Sequence, residues 1–327
     1  MGKLLKKHDR RKLAAKILLH EDCDYSIKNA SFVNSRSILF ACDIHPDDPQ
    51  SSRVNSAYLK SIPARITAFR SKHPAFGTLS IYVPSDGLSY FAEQVLPKID
   101  TPFVLVSGDS DLPIDQSALG ESLDILLGSP HLKKWFAQNR NIDHPKLHFL
   151  PIGINIHNLW SDPLQWGGGF ILPSMQELQL KTIAQNAPPF SLRIPQVFCN
   201  WHFSIDRSDR KQCLEQIDRS ICYFQPAPSP MANTWALQSR YQFVLSPHGA
   251  GLDCHRTWEA LLLGCIPIVK SANINGLFNE LPVISVNEWS EVNPRFLENA
   301  MREIESKSIN TEKLLMRYWI SEIKRTD

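Results

Sequence analysis

Residues 240–270 read RYQFVLSPHGAGLDCHRTWEALLLGCIPIVK, and the order of signals in that stretch decides the fold. Tyr241 to Leu245 is a short apolar run suited to a buried strand. Ser246-Pro247-His248-Gly249-Ala250-Gly251 follows as a loop, with Pro247 removing a donor and the two glycines allowing close backbone approach. Asp253 reads as a helix N-cap, Cys254 to Leu263 as the helix, and Gly264 as its left-handed stop. Ile266 to Val269 then reads as the next, parallel strand. Strand, glycine loop, helix and strand within about thirty residues is the size of one βαβ unit. Such a loop turns backbone N–H groups and a helix N-terminus towards one point, which makes an anion site.

Outward from this stretch, the chain is 327 residues long, which suggests two domains of about 100–200 residues each. In the first half, Ile38 to Cys42 reads as a strand ending at Asp43, His45 and Pro46. Asn55 to Ser71 reads as a helix that Pro63 should break or kink. Ser80 to Val83 is a strand ending at Ser85-Asp86-Gly87, Tyr90 to Val95 a helix, and Phe103 to Val106 a strand ending at Gly108-Asp109-Ser110-Asp111. Ile125 to Leu127 reads as a further strand, His131 to Gln138 as a helix and Lys146 to Leu150 as the closing strand. Residues 156–192, with Trp160, Trp166 and three consecutive glycines from Gly167, break the rhythm and read as a crossing segment. A second series follows, with strands at Gln196 to Cys199, Ile221 to Phe224 and Leu281 to Val286, and a helix at Ser208 to Asp218. Glu291 to Ile323 is helical in period, a long C-terminal helix or a helix pair.

Alternating short strands and helices argue for an α/β fold with parallel, doubly wound sheets. The expected organisation is a basic arm over 1–35, Rossmann-like αβα domains over 36–155 and 193–300, the crossing segment 156–192 between them, and a C-terminal helix over 301–327. Ligands in such sheets gather at the carboxyl ends of strands.

Bulk composition excludes several classes. The net charge of +2 gives no case for a nucleic-acid-coating protein, so no nucleic-acid partner is expected. No run approaches the ~18–20 apolar residues of a membrane span. Lys16 interrupts the apolar part of the N-terminus, so no secretory signal is read there. The seven cysteines are odd in number and contain no C-x-x-C pair, which suits a reducing compartment and a cytoplasmic location. Seven Lys/Arg in the first sixteen positions form a solvated arm. A peripheral membrane surface is the partner that residues 1–20 would take if they fold as an amphipathic helix.

Arg256 and Glu259 lie three apart and share a helix face beside the loop. Arginine offers a planar fork of donors for a phosphate or diphosphate, and a glutamate accepts from two neighbouring hydroxyls, as a ribose diol presents them. The bland alternative is a surface ion pair worth a few tenths of a kcal/mol. Asp109-Ser110-Asp111 has the D-x-D spacing that GT-A glycosyltransferases use for a metal and diphosphate. Two carboxylates alone make a modest metal site, and it is read as a loop feature with no metal assigned.

The stretch FVLSPHGAGLDCHRTWEALLLGCIPIV resembles the nucleotide-sugar-binding signature of exostosin-like glycosyltransferases. The resemblance rests on Pro247, His248, Gly249, Gly251, Arg256, Glu259, Ala260, Leu261, Gly264, Cys265 and Pro267, with Ile268 where the family has valine. Leu281 to Val292 is similar to the family's following segment, and Arg210 resembles the arginine that opens the preceding helix. The match covers about residues 195–292. His248 stands where many members carry arginine, and His248 to Leu252 also resembles the H-G-A-G-L loop of a second GT-B group of glycan-extending transferases.

The resemblance implies a GT-B fold with two Rossmann-like domains facing a central cleft, acceptor on the first and sugar nucleotide on the second. It also implies inversion at the anomeric carbon and no obligatory cofactor or metal. The donor, a UDP- or GDP-sugar, would be held by Arg210, Ser246, His248, Gly249, Ala250, Gly251, Arg256 and Glu259. The acceptor would be a glycan or other hydroxyl, with Asp43, Asp109 and Asp111, and also Asp86, each at a strand end of the first domain, as candidate general bases. Two other classes fit the same sequence: a nucleotide-sugar-binding module without turnover, and a peripheral membrane or nucleic-acid binder acting through the basic arm.

Overall fold

The computed structural model describes residues 29–47, 49, 55–156, 171–201, 206, 208–227 and 229–325. Residues 1–28 of the basic arm, with the membrane contact expected of residues 1–20, lie outside them, as do residues 157–170 of the crossing segment; residues 33–35, expected in the arm, are buried.

The first sheet is wholly parallel, with β1 (Leu79–Pro84), β2 (Phe103–Gly108), β3 (Leu132–Ala137) and β4 (Leu147–Phe149) side by side in chain order. The period-two alternation of these strands feeds two cores. Leu79, Ile81, Val83, Phe103 and Leu105 face a core shared with Ile62 of helix α2 (Ser56–Lys72) and Leu126 of α3 (Glu121–Gly128). Tyr82, Val104, Val106 and Phe136 face the other way.

Several expectations for this half are corrected. Ile38 to Cys42 is not a strand: helix α1 spans Ser35–Ala41, started by Asn34, whose side chain accepts from Ser37 N at 2.7 Å. Only Ile44 pairs with β1, as an isolated parallel bridge to Ile81. Helix α2 continues past Pro63 to Lys72, so the proline does not end it. Ile125 to Leu127 lies in α3, and most of His131 to Gln138 is β3. Pro130 disfavours a helical Ser129 and so ends α3. Trp135 of β3 is then buried in the core that holds Ile62 and Leu126, its indole donating to Ser107 Oγ at 2.8 Å.

The second sheet is also parallel. Strands β5 (Ile194–Cys199), β6 (Cys222–Phe224), β7 (Tyr241–Leu245), β8 (Ile266–Lys270) and β9 (Ile284–Val286) lie in the order β6-β5-β7-β8-β9. Helix α4 (Pro173–Gln185) precedes it; α5 (Arg210–Gln216), α6 (Met231–Gln238) and α7 (His255–Leu262) connect its strands. The C-terminal stretch forms two helices, α8 (Pro294–Ser306) and α9 (Met316–Lys324), parted by a tight turn at Thr311–Leu314.

The two units share one core. Trp258 and Leu261 of α7 and Phe278 beyond β8 pack with Val104, Val106 and Phe136 of the first sheet, together with Trp319 and Ile323 of α9. At Gly276 a Cβ would stand 2.6 Å from the Phe149 ring, so this contact between units needs a glycine. Helix α9 thus belongs in space to the first unit, where Lys324 Nζ reaches Asp43 Oδ1 at 2.6 Å.

Candidate functional site

In the second sheet the chain winds outward in one direction after β5 and in the other after β7. Helix α5 packs on one face through Cys213, and α7 on the opposite face through Ala260. The crevice between such divergent connections is where open α/β sheets bind ligands. The loop of residues 246–254 stands at that crevice.

Helix α7 is fixed at both ends. Cys254, and not Asp253, is its N-cap, without a side-chain cap bond. Asp253 instead accepts from Ile152 N and from Trp258 Nε1, at 2.8 and 2.9 Å, which ties the loop to the first unit. At the far end Cys265 N donates to Ala260 O and Gly264 N to Leu261 O, with Gly264 at φ 72°. This is a Schellman stop, and it needs the left-handed residue. Burial pushes the Asp253 carboxyl up to about 7.

The loop itself is tightly held. Ser246 N donates to Ile268 O at 2.8 Å, and its hydroxyl pairs with Thr257 Oγ1 at 2.9 Å, so Ser246 fastens the loop to α7. Arg210 Nε donates to the His248 carbonyl at 3.1 Å, and a Cβ on Gly249 would lie 3.2 Å from Arg210 Nη2. The His248 ring is buried. Burial holds its pKa below the ordinary histidine range, against an opposing pull from Asp209. A neutral imidazole donates one hydrogen bond and brings no fixed charge. Ala250 is exposed at the tip.

Arg256 and Glu259 are not a surface ion pair. Arg256 Nε donates to Asn200 Oδ1 at 2.9 Å, while its Nη1 is buried with no hydrogen-bond partner among the described residues. Glu259 is buried, and its Oε2 accepts from Trp235 Nε1 at 3.1 Å. Burial pushes its carboxyl up to about 7, opposed by the Trp235 hydrogen bond and the Arg256 charge. An unsatisfied guanidinium N–H and a carboxyl with one protein donor are costly things to bury. Together with Arg210 and the loop amides they offer two cationic forks and one strong acceptor at a strand-end crevice.

The four candidate bases separate. Asp86 is exposed just beyond the carboxyl end of β1, where it accepts from Ser110 Oγ at 2.7 Å. Asp43 lies beside Ser80 near the start of β1, at the amino edge of the sheet. Its carboxylate accepts from Ser80 N and Oγ and pairs with Lys324. The strand expected to carry it to the carboxyl edge is helix α1. Asp109, at φ 61°, is buried and paired with Arg36 at 3.4 Å. Asp111 is exposed just beyond the carboxyl end of β2. The D-x-D pair therefore points into two different environments.

Three residues at the site went unremarked in the sequence: Asn200, which orients Arg256; Trp235, which bonds Glu259; and Asn139, whose Oδ1 accepts from Leu252 and Asp253 N. Asn200 directly follows β5 and carried a positional signal at the switch point. The other two are long-range partners with none.

No protein-family model and no curated protein matches the sequence. Among solved structures, the chain is similar to an α,α-trehalose-phosphate synthase (UDP-forming) from Burkholderia vietnamiensis. That alignment has 10% identity and a TM-score of 0.32, covering 90% of this chain and 80% of that one. It is also similar to the E. coli trehalose-6-phosphate protein bound with UDP-2-fluoro glucose, at 11% identity and a TM-score of 0.34, covering 93% and 82%. Scores this low leave the fold to be argued from its own strand order.

Proposed function

We propose that the chain is a glycosyltransferase of exostosin-like kind, with its units arranged in the GT-B manner and a UDP- or GDP-sugar as donor. The single observation that carries this reading is the convergence of Arg210, Arg256, Glu259 and the glycine loop at the switch point of the second sheet. The sequence resemblance supplies the sugar. In this reading the diphosphate lies against the Ala250 end of the loop, with Arg256 Nη1 satisfied by a phosphate oxygen and Arg210 flanking it. Glu259 accepts from the ribose diol. His248 lines the loop without adding charge, and Ser246 supports it from below.

An acceptor hydroxyl of a glycan or similar molecule attacks the anomeric carbon as the diphosphate leaves, with inversion. Charge developing on the leaving diphosphate is stabilised by the amides and guanidinium groups already in place. Of the expected bases, Asp86 and Asp111 are exposed at the carboxyl edge, and Asp86 already accepts from Ser110 Oγ; Asp109 is engaged by Arg36 and Asp43 by Lys324. We assign the proton transfer to Asp111.

The test is release of nucleoside diphosphate from a panel of UDP- and GDP-sugars with mixed glycan acceptors, run with and without EDTA. Turnover that survives EDTA supports the reading. Binding without any turnover points to the binding-module alternative, and strict Mn²⁺ dependence would bring back Asp109 and Asp111 as a metal site.

A further inference from the structure

The loop of the proposed donor site is gripped from the other unit. Asn139, two residues beyond β3, is buried at φ 53°, a conformation asparagine tolerates better than most residues. Its carbonyl accepts from Ile114 N at 3.0 Å, and its Nδ2 donates to the Ser110 carbonyl at 3.0 Å. Both anchors lie in the first unit, so the side-chain amide is fixed there. Its other end faces Leu252 N at 2.9 Å and Asp253 N at 3.1 Å. Backbone amides only donate, so the atom between them is the amide oxygen.

Two successive N–H groups converging on one oxygen is how a backbone nest holds an anion. Here a neutral carbonyl fills that place. Gly251 keeps it there, because a Cβ at residue 251 would stand 2.9 Å from both Nδ2 and Oδ1 of Asn139. With residues 252 and 253 turned towards the first unit, the Ala250 and Gly251 amides at the tip donate to no protein group among the described residues.

We propose that Asn139 is a positioning residue, held by the first unit, that sets which amides of the second unit's loop face the donor diphosphate. This rests on the donor reading of the site. It means that the unit expected to bind acceptor also shapes the donor site.

The test uses the full chain and calorimetry with UDP, GDP, UMP and GMP. Asn139→Ala is expected to weaken the diphosphate that the wild type binds by about tenfold, the worth of one charge-assisted hydrogen bond, and its monophosphate by far less. Unchanged diphosphate affinity, or equal loss for both ligands, overturns the positioning role. Wild-type protein that binds neither diphosphate refutes the donor reading, and the role falls with it. Gly251→Ala should lower the melting temperature of the wild type but add little in Asn139→Ala, where the clash is gone; additive losses overturn the contact. If Asn139→Ala does not fold, Gly251→Ala alone should show the same selective loss of diphosphate, and an unselective loss overturns the role.

Discussion

Replacing Glu259 by glutamine should make the free protein more stable at pH 8 and poorer at holding a nucleotide. Glu259 is buried on α7, with Trp235 Nε1 as its hydrogen-bond donor, and burial lifts its carboxyl from 4.5 to about 7. A carboxyl with a higher pKa folded than unfolded takes up a proton on folding. Its contribution to stability is therefore full below about pH 4.5, declines as pH rises towards 7, and is gone above that. A rise from 4.5 to about 7, at about 1.4 kcal/mol per pH unit, comes to about 3 kcal/mol. That figure already includes the attraction to Arg256. Glutamine copies the protonated form and can still accept from Trp235. Urea denaturation of Glu259→Gln should thus match the wild type near pH 4.5 and exceed it by up to about 3 kcal/mol at pH 8. The same variant should lose nucleotide affinity, since one amide oxygen replaces a carboxylate that accepts from two hydroxyls. Glu259→Gln that is less stable at pH 8, or that keeps the wild-type pH slope, would refute the argument. A gain in stability with intact nucleotide binding would refute the ribose role.

Arg210→Ala should weaken nucleoside diphosphate binding by about tenfold, read by calorimetry, if its guanidinium flanks the phosphates; unchanged affinity would move the phosphates elsewhere. Asp111→Asn should cut turnover by about 10²–10⁴-fold with KM held, and a fully active variant would shift the base assignment. Gly276→Ala should destabilise by about 1–3 kcal/mol, because its Cβ would meet the Phe149 ring at 2.6 Å. Denaturation with no such loss would mean that the units pack less tightly than their shared core indicates.

The second unit was legible because its signals are local. Tyr241–Leu245, the glycine loop, His255–Leu262 and Gly264 each announce themselves within a few residues, and the structure has them in that order. The first unit was harder for a physical reason. Short apolar runs suit a buried strand or a buried helix equally, so Ile38 to Cys42 and Ile125 to Leu127 read as strands, and β3 as a helix, on pattern alone. Asn34 was the overlooked cue for α1, as was Pro130 for the end of α3. Met231–Gln238 went unread because it follows a proline-rich turn and has no side-chain N-cap.

The site divides in the same way. Residue types and spacing brought forward Arg256, Glu259 and the loop, and the family resemblance added Arg210. The partners that define them came from elsewhere in the chain: Asn200 for Arg256, Trp235 for Glu259, and Ile152 with Trp258 for Asp253. Asp43 shows the cost of a misread element, since one helix in place of a strand moves its carboxylate to the opposite edge of the sheet.

The central claim is that the switch point of the second sheet holds a nucleoside diphosphate through Arg256. Calorimetric titration of wild type and Arg256→Ala with UDP and GDP tests it directly. The account predicts binding of one of the two by the wild type and at least a tenfold loss in the variant. Wild-type protein that binds neither nucleotide, or Arg256→Ala that binds as well as the wild type, would contradict it.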